Sequence, residues 1–302
     1  MQATSHVLMI EPVNFGFNAE TAVNNSFQKG VGDDEQQKAL AEFHGLVSLL
    51  QKNKIDVTIV KDTEAPHTPD SIFPNNWISF HSEGSIYLYP MFAPNRRLER
   101  KQTVLDAIQQ RFIVTGTVDL SGNEMQQRFL EGTGSMVLDR INKIAYACVS
   151  PRTDEELVQD FCRIANFDPI LFLAKDEAGV PIYHTNVLMC VADQYAVICL
   201  ESIGDKTEHE HVIASLERTG KEIIDISFQQ LNCFAGNMLQ LMNADNEKLL
   251  LVSTQAFESL HADQIERLEK YNRILHAPLD HIEAAGGGSA RCMIAEIFLQ
   301  RK

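Results

Sequence analysis

Five stretches of this chain share one rhythm: a small or polar pair, an apolar strand, a polar turn and often a second strand. They are "FPNNWISFHSEGSIYLYP", "EGTGSMVLDRINKIAYACVSP", "YHTNVLMCVADQYAVICLES", "FAGNMLQLMNADNEKLLLVST" and "GSARCMIAEIFLQ". Anchored on Asn76, Ser135, Asn186, Asn237 and Arg291, they follow one another at steps of 59, 51, 51 and 54 residues. An internal period of this size constrains the fold before any single residue does. Each unit is too small to bury a core alone. Five units can do so when arranged radially, and pairing the last strand with the first removes the exposed edge.

The segments between the hairpins fit this scheme. "DDEQQKALAEFHGLVSLLQKN" sets Leu40, Phe43, Val47 and Leu50 on one helical face. "RTDEELVQDFCRIAN" opens with Thr153 and Glu156 at capping-box spacing. "TEHEHVIASLERTG" and "LHADQIERLEKYN" are further helices. "KIDVTIV", "RFIVTG", "DPILFLA", "EIIDIS" and "NRILHAPL" read as short strands preceding the hairpins. The fifth unit is split, so "CMIAEIFL" is expected to pair with "HVLMIEP". The chain reads as one α/β domain over residues 1–302.

A radial array brings equivalent positions to its axis. Asn76, Glu131, His184, Asn186, Asn237 and Cys292 therefore converge. A cysteine, a histidine and a carboxylate at such positions suit thiol catalysis. The histidine can act as base and then acid, and the carboxylate can hold its tautomer. Gly286–Gly288, just before the cysteine, suit a loop that approaches a ligand closely or moves over it. Cys148, Cys190 and Cys199 lie in apolar contexts and read as inert buried thiols. Cys162 and Cys233 stand apart from any metal-ligand spacing.

Charge and composition narrow the partners. Lys and Arg number 26 and Asp and Glu 41, a net of −15, which disfavours nucleic acid and anionic membranes. No apolar run reaches the roughly 18 residues that span a bilayer, and "MQATSHVLMIEP" lacks the marks of a signal peptide. A reducing cytoplasm, a small-molecule substrate and no cofactor or metal are expected. The oligomeric state is open, a homodimer included.

These residues also carry a resemblance. The chain resembles the guanidino-group-modifying enzymes: arginine deiminases, dimethylarginine hydrolases, agmatine deiminases and amidinotransferases. Their fold is a five-bladed α/β propeller, the pentein fold, with pseudo-fivefold symmetry, and the likeness runs along essentially the whole chain. "EGTG" resembles their Glu-Gly-Gly-Asp and implies Glu131 as the acidic partner. "HTN" resembles His-x-Asp and implies His184 as general acid and base. "GGGSARCM" resembles their closing loop and implies Cys292 as nucleophile. "SPRTD" resembles Ser-x-Arg-Thr and implies Arg152 as the fork for a substrate α-carboxylate.

The departures bear on the substrate. Where relatives carry Phe-x-Arg-Asp this chain has "FPNN", so Asn75 replaces the Arg and Asn76 the Asp. Asn186 replaces the Asp two residues after the histidine, and Gly134 ends the "EGTG" motif. Asp only accepts, whereas Asn donates and accepts and is neutral. A buried guanidinium facing amides lacks counter-charge, whereas a neutral ureido group offers one acceptor and several donors. On this logic the substrate is citrulline, hydrolysed to ornithine, carbon dioxide and ammonia. The stretches "EPVNFGFNAET", which includes Asn14, and "FPNNW" also resemble the citrulline-hydrolysing branch. A deiminase or dimethylarginine-type hydrolase remains the alternative, with acids from unmatched positions such as Glu11 or Asp139. An amidinotransferase and a non-catalytic binding module on the same fold are weaker readings. Residues 14–28 are either a cover for the pocket or a surface loop.

Overall fold

The computed structural model describes residues 1–29 and 34–302. β1 (His6–Glu11) runs parallel to β2 (Asp56–Lys61). β3 (Ile78–Phe80) and β4 (Ser85–Leu88) form an antiparallel hairpin, and β5 (Gly116–Asp119) adds parallel to β4. The same order recurs in β6 (Met136–Asp139), β7 (Ile144–Cys148) and β8 (Asp168–Phe172). It recurs again in β9 (Met189–Val191), β10 (Tyr195–Ile198) and β11 (Glu222–Asp225). The fourth copy is β12 (Leu239–Met242), β13 (Lys248–Ser253) and β14 (Arg273–Ala277). β15 (Ala295–Glu296) then pairs antiparallel with β1, Val7 opposite Glu296, so the ends of the chain complete the fifth sheet. The result is a five-bladed α/β propeller.

A parallel neighbour needs a crossover, and in each blade a helix supplies it. These are α1 (Glu35–Lys52), α2 (Gln102–Arg111), α3 (Glu155–Ala165), α4 (Lys206–Arg218) and α5 (Ala262–Glu269). α1 buries Phe43, Leu46, Val47 and Leu50; Asp33, where its pattern opens, lies outside the described residues. α3 buries Leu157, Val158, Phe161, Cys162 and Ala165, the stripe that its 3–4 residue spacing demands. Its cap is Asp154, whose carboxylate accepts from Leu157 N, and losing that cap would cost about 1 kcal/mol. Asn166 ends the helix in the left-handed region.

Four expectations change. The order within a blade is hairpin, helix, strand, rather than strand first. Thr153 is not the cap of α3, because it is tied into bridges with Ser150 and Leu130. "RFIVTG" is not a strand of its sheet. α2 runs on to Arg111, and Phe112 and Ile113 pair with the C-terminal tail at Arg301 and Gln300. The closing strand is only Ala295–Glu296, since the residues before it form a turn.

A short helical turn precedes each hairpin. Pro74–Asn76, Gly132–Ser135 and Thr185–Leu188 occupy this place in successive blades, and turns at 233–236 and 290–293 do so in the last two. The turn reverses the chain at the inner end of the blade. It is why the repeat anchors meet. No helix among the described residues is long and apolar enough to cross a membrane.

Candidate active site

Cys292, His184, Asn76 and Arg152 line one cavity, together with Asp70, Arg96, Tyr183 and Gly286–Gly288. Its space is about 260 Å³, part of it open to solvent. Thr21 and Asn25 close one side. Within the segment 14–28 it is thus the part around Thr21 and Asn25 that covers the pocket. Asn25 Nδ2 donates to Gly287 O at 3.3 Å, and Gln28 Nε2 to Ala285 O at 3.1 Å. The glycine loop follows α6 (Asp280–Gly286), and Gly287 caps it at φ +64, a conformation that L side chains rarely adopt. Tyr183 Oη donates to Gly287 O at 2.5 Å and fixes the loop from below.

His184 Nε2 lies 2.8 Å from Glu131 Oε2. Burial pushes the His184 imidazole down to about 4, against the pull of Glu131. Burial also works to raise the Glu131 carboxyl, but Arg152, the His184 bond and Arg96 outweigh it and hold the group at about 2. At neutral pH the pair is thus a neutral imidazole and a carboxylate. Glu131 can only accept, so Nε2 carries the proton and Nδ1 keeps its lone pair. That leaves a base on the ring's other side. The second oxygen of Glu131 accepts from Phe92 N at 2.9 Å, so the carboxylate cannot rotate away.

Arg152 is buried beside this pair. Its Nη1 is 3.5 Å from Glu131 Oε2, its Nη2 donates to Thr21 O at 2.7 Å, and its Nε donates to Asn24 Oδ1 at 2.8 Å. The guanidinium also lies over the Tyr183 ring, 4.8 Å from its centroid. It links the His184–Glu131 pair to the segment around Thr21 and Asn24. Arg96 forks onto Glu99 at 2.9 and 3.0 Å and donates from Nη1 to Asn76 Oδ1 at 2.8 Å. The Asn76 amide is thereby oriented, and its Nδ2 has no partner among the described residues.

Space around Asn76 explains Gly134. A Cβ at Gly134 would lie 2.3 Å from Asn76 Nδ2 and 2.9 Å from the His184 ring. An aspartate there, as in the motif it departs from, is incompatible with this packing.

Several expected binders lie elsewhere. Asn14 is exposed and donates to Glu64 O, so it is no pocket residue. Asn75 is fully buried but does not line the cavity, because the turn at Pro74–Asn76 points it into the wall. Asn186 lies beside Cys292, with Nδ2 3.5 Å from its Sγ, and is not among the residues lining the cavity. Glu11 pairs outside with His44, and Asp139 is buried against Lys221, so neither supplies an acid. Asp70 does. It was missed, although it stands three residues before Phe73 at the head of a repeat. Asn18 Nδ2 and Thr21 Oγ1 donate to its Oδ2 at 2.8 and 3.1 Å, while Oδ1 has no partner among the described residues. Burial pushes its carboxyl up, opposed by Arg96 and those two donors.

Comparison with known proteins agrees with this architecture. The family model described as "N,N dimethylarginine dimethylhydrolase, eukaryotic" matches residues 11–299. No curated protein sequence matches the chain. Among solved structures, the arginine dihydrolase ArgZ of the cyanobacterial ornithine–ammonia cycle superposes with TM-score 0.77 at 17% identity, over 97% of this chain and 40% of that one. The chain thus spans less than half of that longer protein. The N-terminal domain of ArgZ bound to product gives 0.75 at 17% identity, over 97% of both chains. A dimethylarginine dimethylaminohydrolase adduct with S-methyl-L-thiocitrulline gives 0.68 at 13% identity, over 98% of this chain and 100% of that one. With its family model matched nearly end to end on a pentein fold, this chain belongs to the N,N-dimethylarginine dimethylhydrolase family of guanidino-group-modifying enzymes, hydrolases of non-peptide C–N bonds.

Proposed function

We propose that the chain is a cysteine-dependent hydrolase of an amino acid of the arginine–citrulline series, and that it accepts the ureido group of citrulline. The observation that carries the substrate is the Asn76 amide. Asn76 lines the cavity and its oxygen is taken by Arg96, so the capacity left to the amide is an N–H, without a partner among the described residues. A buried donor without a partner costs about 1–3 kcal/mol. A ureido oxygen would satisfy it, whereas a guanidinium has no acceptor.

The Cys292 sulfur attacks the ureido carbon, and charge gathers on the oxygen facing Asn76 Nδ2. His184 Nδ1, having taken the thiol proton, gives it to the departing δ-amine as the C–N bond breaks. Ornithine leaves and an S-carbamoyl enzyme remains. His184 then deprotonates water, which cleaves the C–S bond. Carbamate departs, is protonated and breaks down to ammonia and carbon dioxide. Glu131 holds the tautomer and stabilises the imidazolium. Arg152 binds the α-carboxylate through its remaining donor, and the cover over residues 14–28 opens to admit substrate.

A second reading is hydrolysis of a guanidine, arginine or a methylated arginine. The family's own substrate and the arginine dihydrolases among the structural relatives weigh toward it. Asp70 supports it too, since its free oxygen can face a cation. Assays of ornithine, citrulline, ammonia and dimethylamine from citrulline, arginine, dimethylarginine and agmatine decide between the two. Ornithine released from citrulline with the highest kcat/KM is the expected result. Citrulline accumulating from a guanidine substrate, with citrulline itself inert, transfers the assignment to the second reading.

A further inference from the structure

Asn237 anchors the fourth repeat and is fully buried, yet the mechanism above gives it no role. Its side chain touches the reacting atom. Nδ2 lies 3.3 Å from Cys292 Sγ, and the same nitrogen donates to Asn186 O at 2.7 Å. Oδ1 accepts from Arg291 N at 3.0 Å. The orientation of the amide is therefore not a choice. A backbone carbonyl takes only donors and a backbone N–H offers only a donor, so the NH2 must face Asn186 O and the sulfur. Asn186 Nδ2 approaches the same sulfur at 3.5 Å, but its oxygen has no partner among the described residues, and none of these fixes that amide's direction.

We propose that Asn237 is a catalytic residue of this site: a rigid N–H donor that holds the Cys292 sulfur in place and favours its thiolate over its thiol. This rests on Cys292 as the nucleophile. An N–H bond to an anionic acceptor is far stronger than one to a neutral sulfur, so a fixed donor shifts the balance toward the reactive form. The donor belongs to the turn that enters β12, whereas the thiol belongs to the turn before β15. Register between the last two blades thus places the nucleophile. The charged and titratable groups on the cavity side of the sulfur are His184, Arg152, Arg96, Asp70 and Tyr183. None of them bonds to the Asn237 amide.

Alkylation by iodoacetamide, followed by mass spectrometry across pH, reads the sulfur without any substrate. Asn237→Asp keeps the acceptor for Arg291 N and removes the donor. In this variant Cys292 labelling at pH 7 should fall at least tenfold and recover at higher pH, with Cys233 labelling unchanged. If the folded variant reproduces the wild-type pH curve at Cys292, the proposal is overturned. Wild-type Cys292 labelling no faster than Cys233 would instead remove the nucleophile reading itself. Should the variant fail to fold, nitrogen-15 NMR of the wild type decides. The Asn237 side-chain NH2 signals should move along the same pH curve as Cys292 alkylation, and signals that stay fixed across it overturn the assignment.

Discussion

Asn76 divides one amide between two tasks. Its oxygen completes the Arg96 fork, and its nitrogen, unpartnered among the described residues, is the atom proposed to meet the ligand. Asn76→Asp keeps the first task and abolishes the second, since both carboxylate oxygens only accept. It also sets a negative charge where a ureido oxygen would develop one. The ratio of kcat/KM for citrulline over arginine should fall at least about tenfold, equivalent to about 1.4 kcal/mol. An unchanged ratio in parallel assays would remove Asn76 from the substrate argument. At this scale the sequence was readable where a motif existed. Cys292, His184, Glu131 and Arg152 sit in recognisable strings, and the structure sets Cys292, His184 and Arg152 on one cavity with Glu131 bonded to His184. Asp70 and Arg96 belong to no such string. Their roles come from the bonds each makes with Asn18, Thr21, Glu99 and Asn76, partners up to 52 residues away. Asn14 and Asn75 show the converse, because a neighbour in sequence to a site residue can point anywhere that its turn directs it.

At the scale of elements, the loop after α6 borders the cavity beside Cys292. Gly287 has both a left-handed backbone and a crowded Cβ position, 2.5 Å from the Asn25 amide. Gly287→Ala should cost about 1 kcal/mol or more in stability from the backbone alone. It should also push the cover away from the loop, raising KM more than it lowers kcat. Thermal melts with steady-state kinetics check both, and a variant with wild-type KM would show that the cover does not depend on this contact. The helical periods of α1, α3, α4 and α5 were visible because each buries a stripe at 3–4 residue spacing. α2 was overlooked. Its face is thin, with only Val104 and Ile108 buried, so the following apolar run "RFIV" suggested a strand. That run is claimed by the C-terminal tail, a competitor about 190 residues away that local pattern cannot reveal.

Whole-molecule behaviour with pH follows from which groups are buried. His184 titrates near 4 when folded and near 6.5 when free. As pH falls through 6.5, the unfolded chain binds a proton that the folded one refuses, so stability declines down to about 4. Glu283 acts in the other direction. Burial raises it from 4.5 to about 7, opposed by hydrogen bonds from Ser253 and Ser289. Below 4.5 both states hold its proton and its contribution is complete. As pH rises toward 7 the unfolded chain sheds that proton first, so stability is lost. Glu283→Gln should therefore lose about 2–3 kcal/mol less than wild type between pH 5 and 8 in urea titrations. Equal losses would show that Glu283 is ionised in the fold. The sequence by itself determined the fivefold period, the closure of the last strand on the first, and the convergence of Cys292, His184 and Glu131. Those follow from hydrophobic patterning at a repeating interval, which each segment carries locally. The tertiary structure alone decided which acid lines the pocket, which amide lines it and which faces the sulfur. Side-chain direction at the axis is set by hydrogen-bond partners from other blades, and no segment contains its own partners.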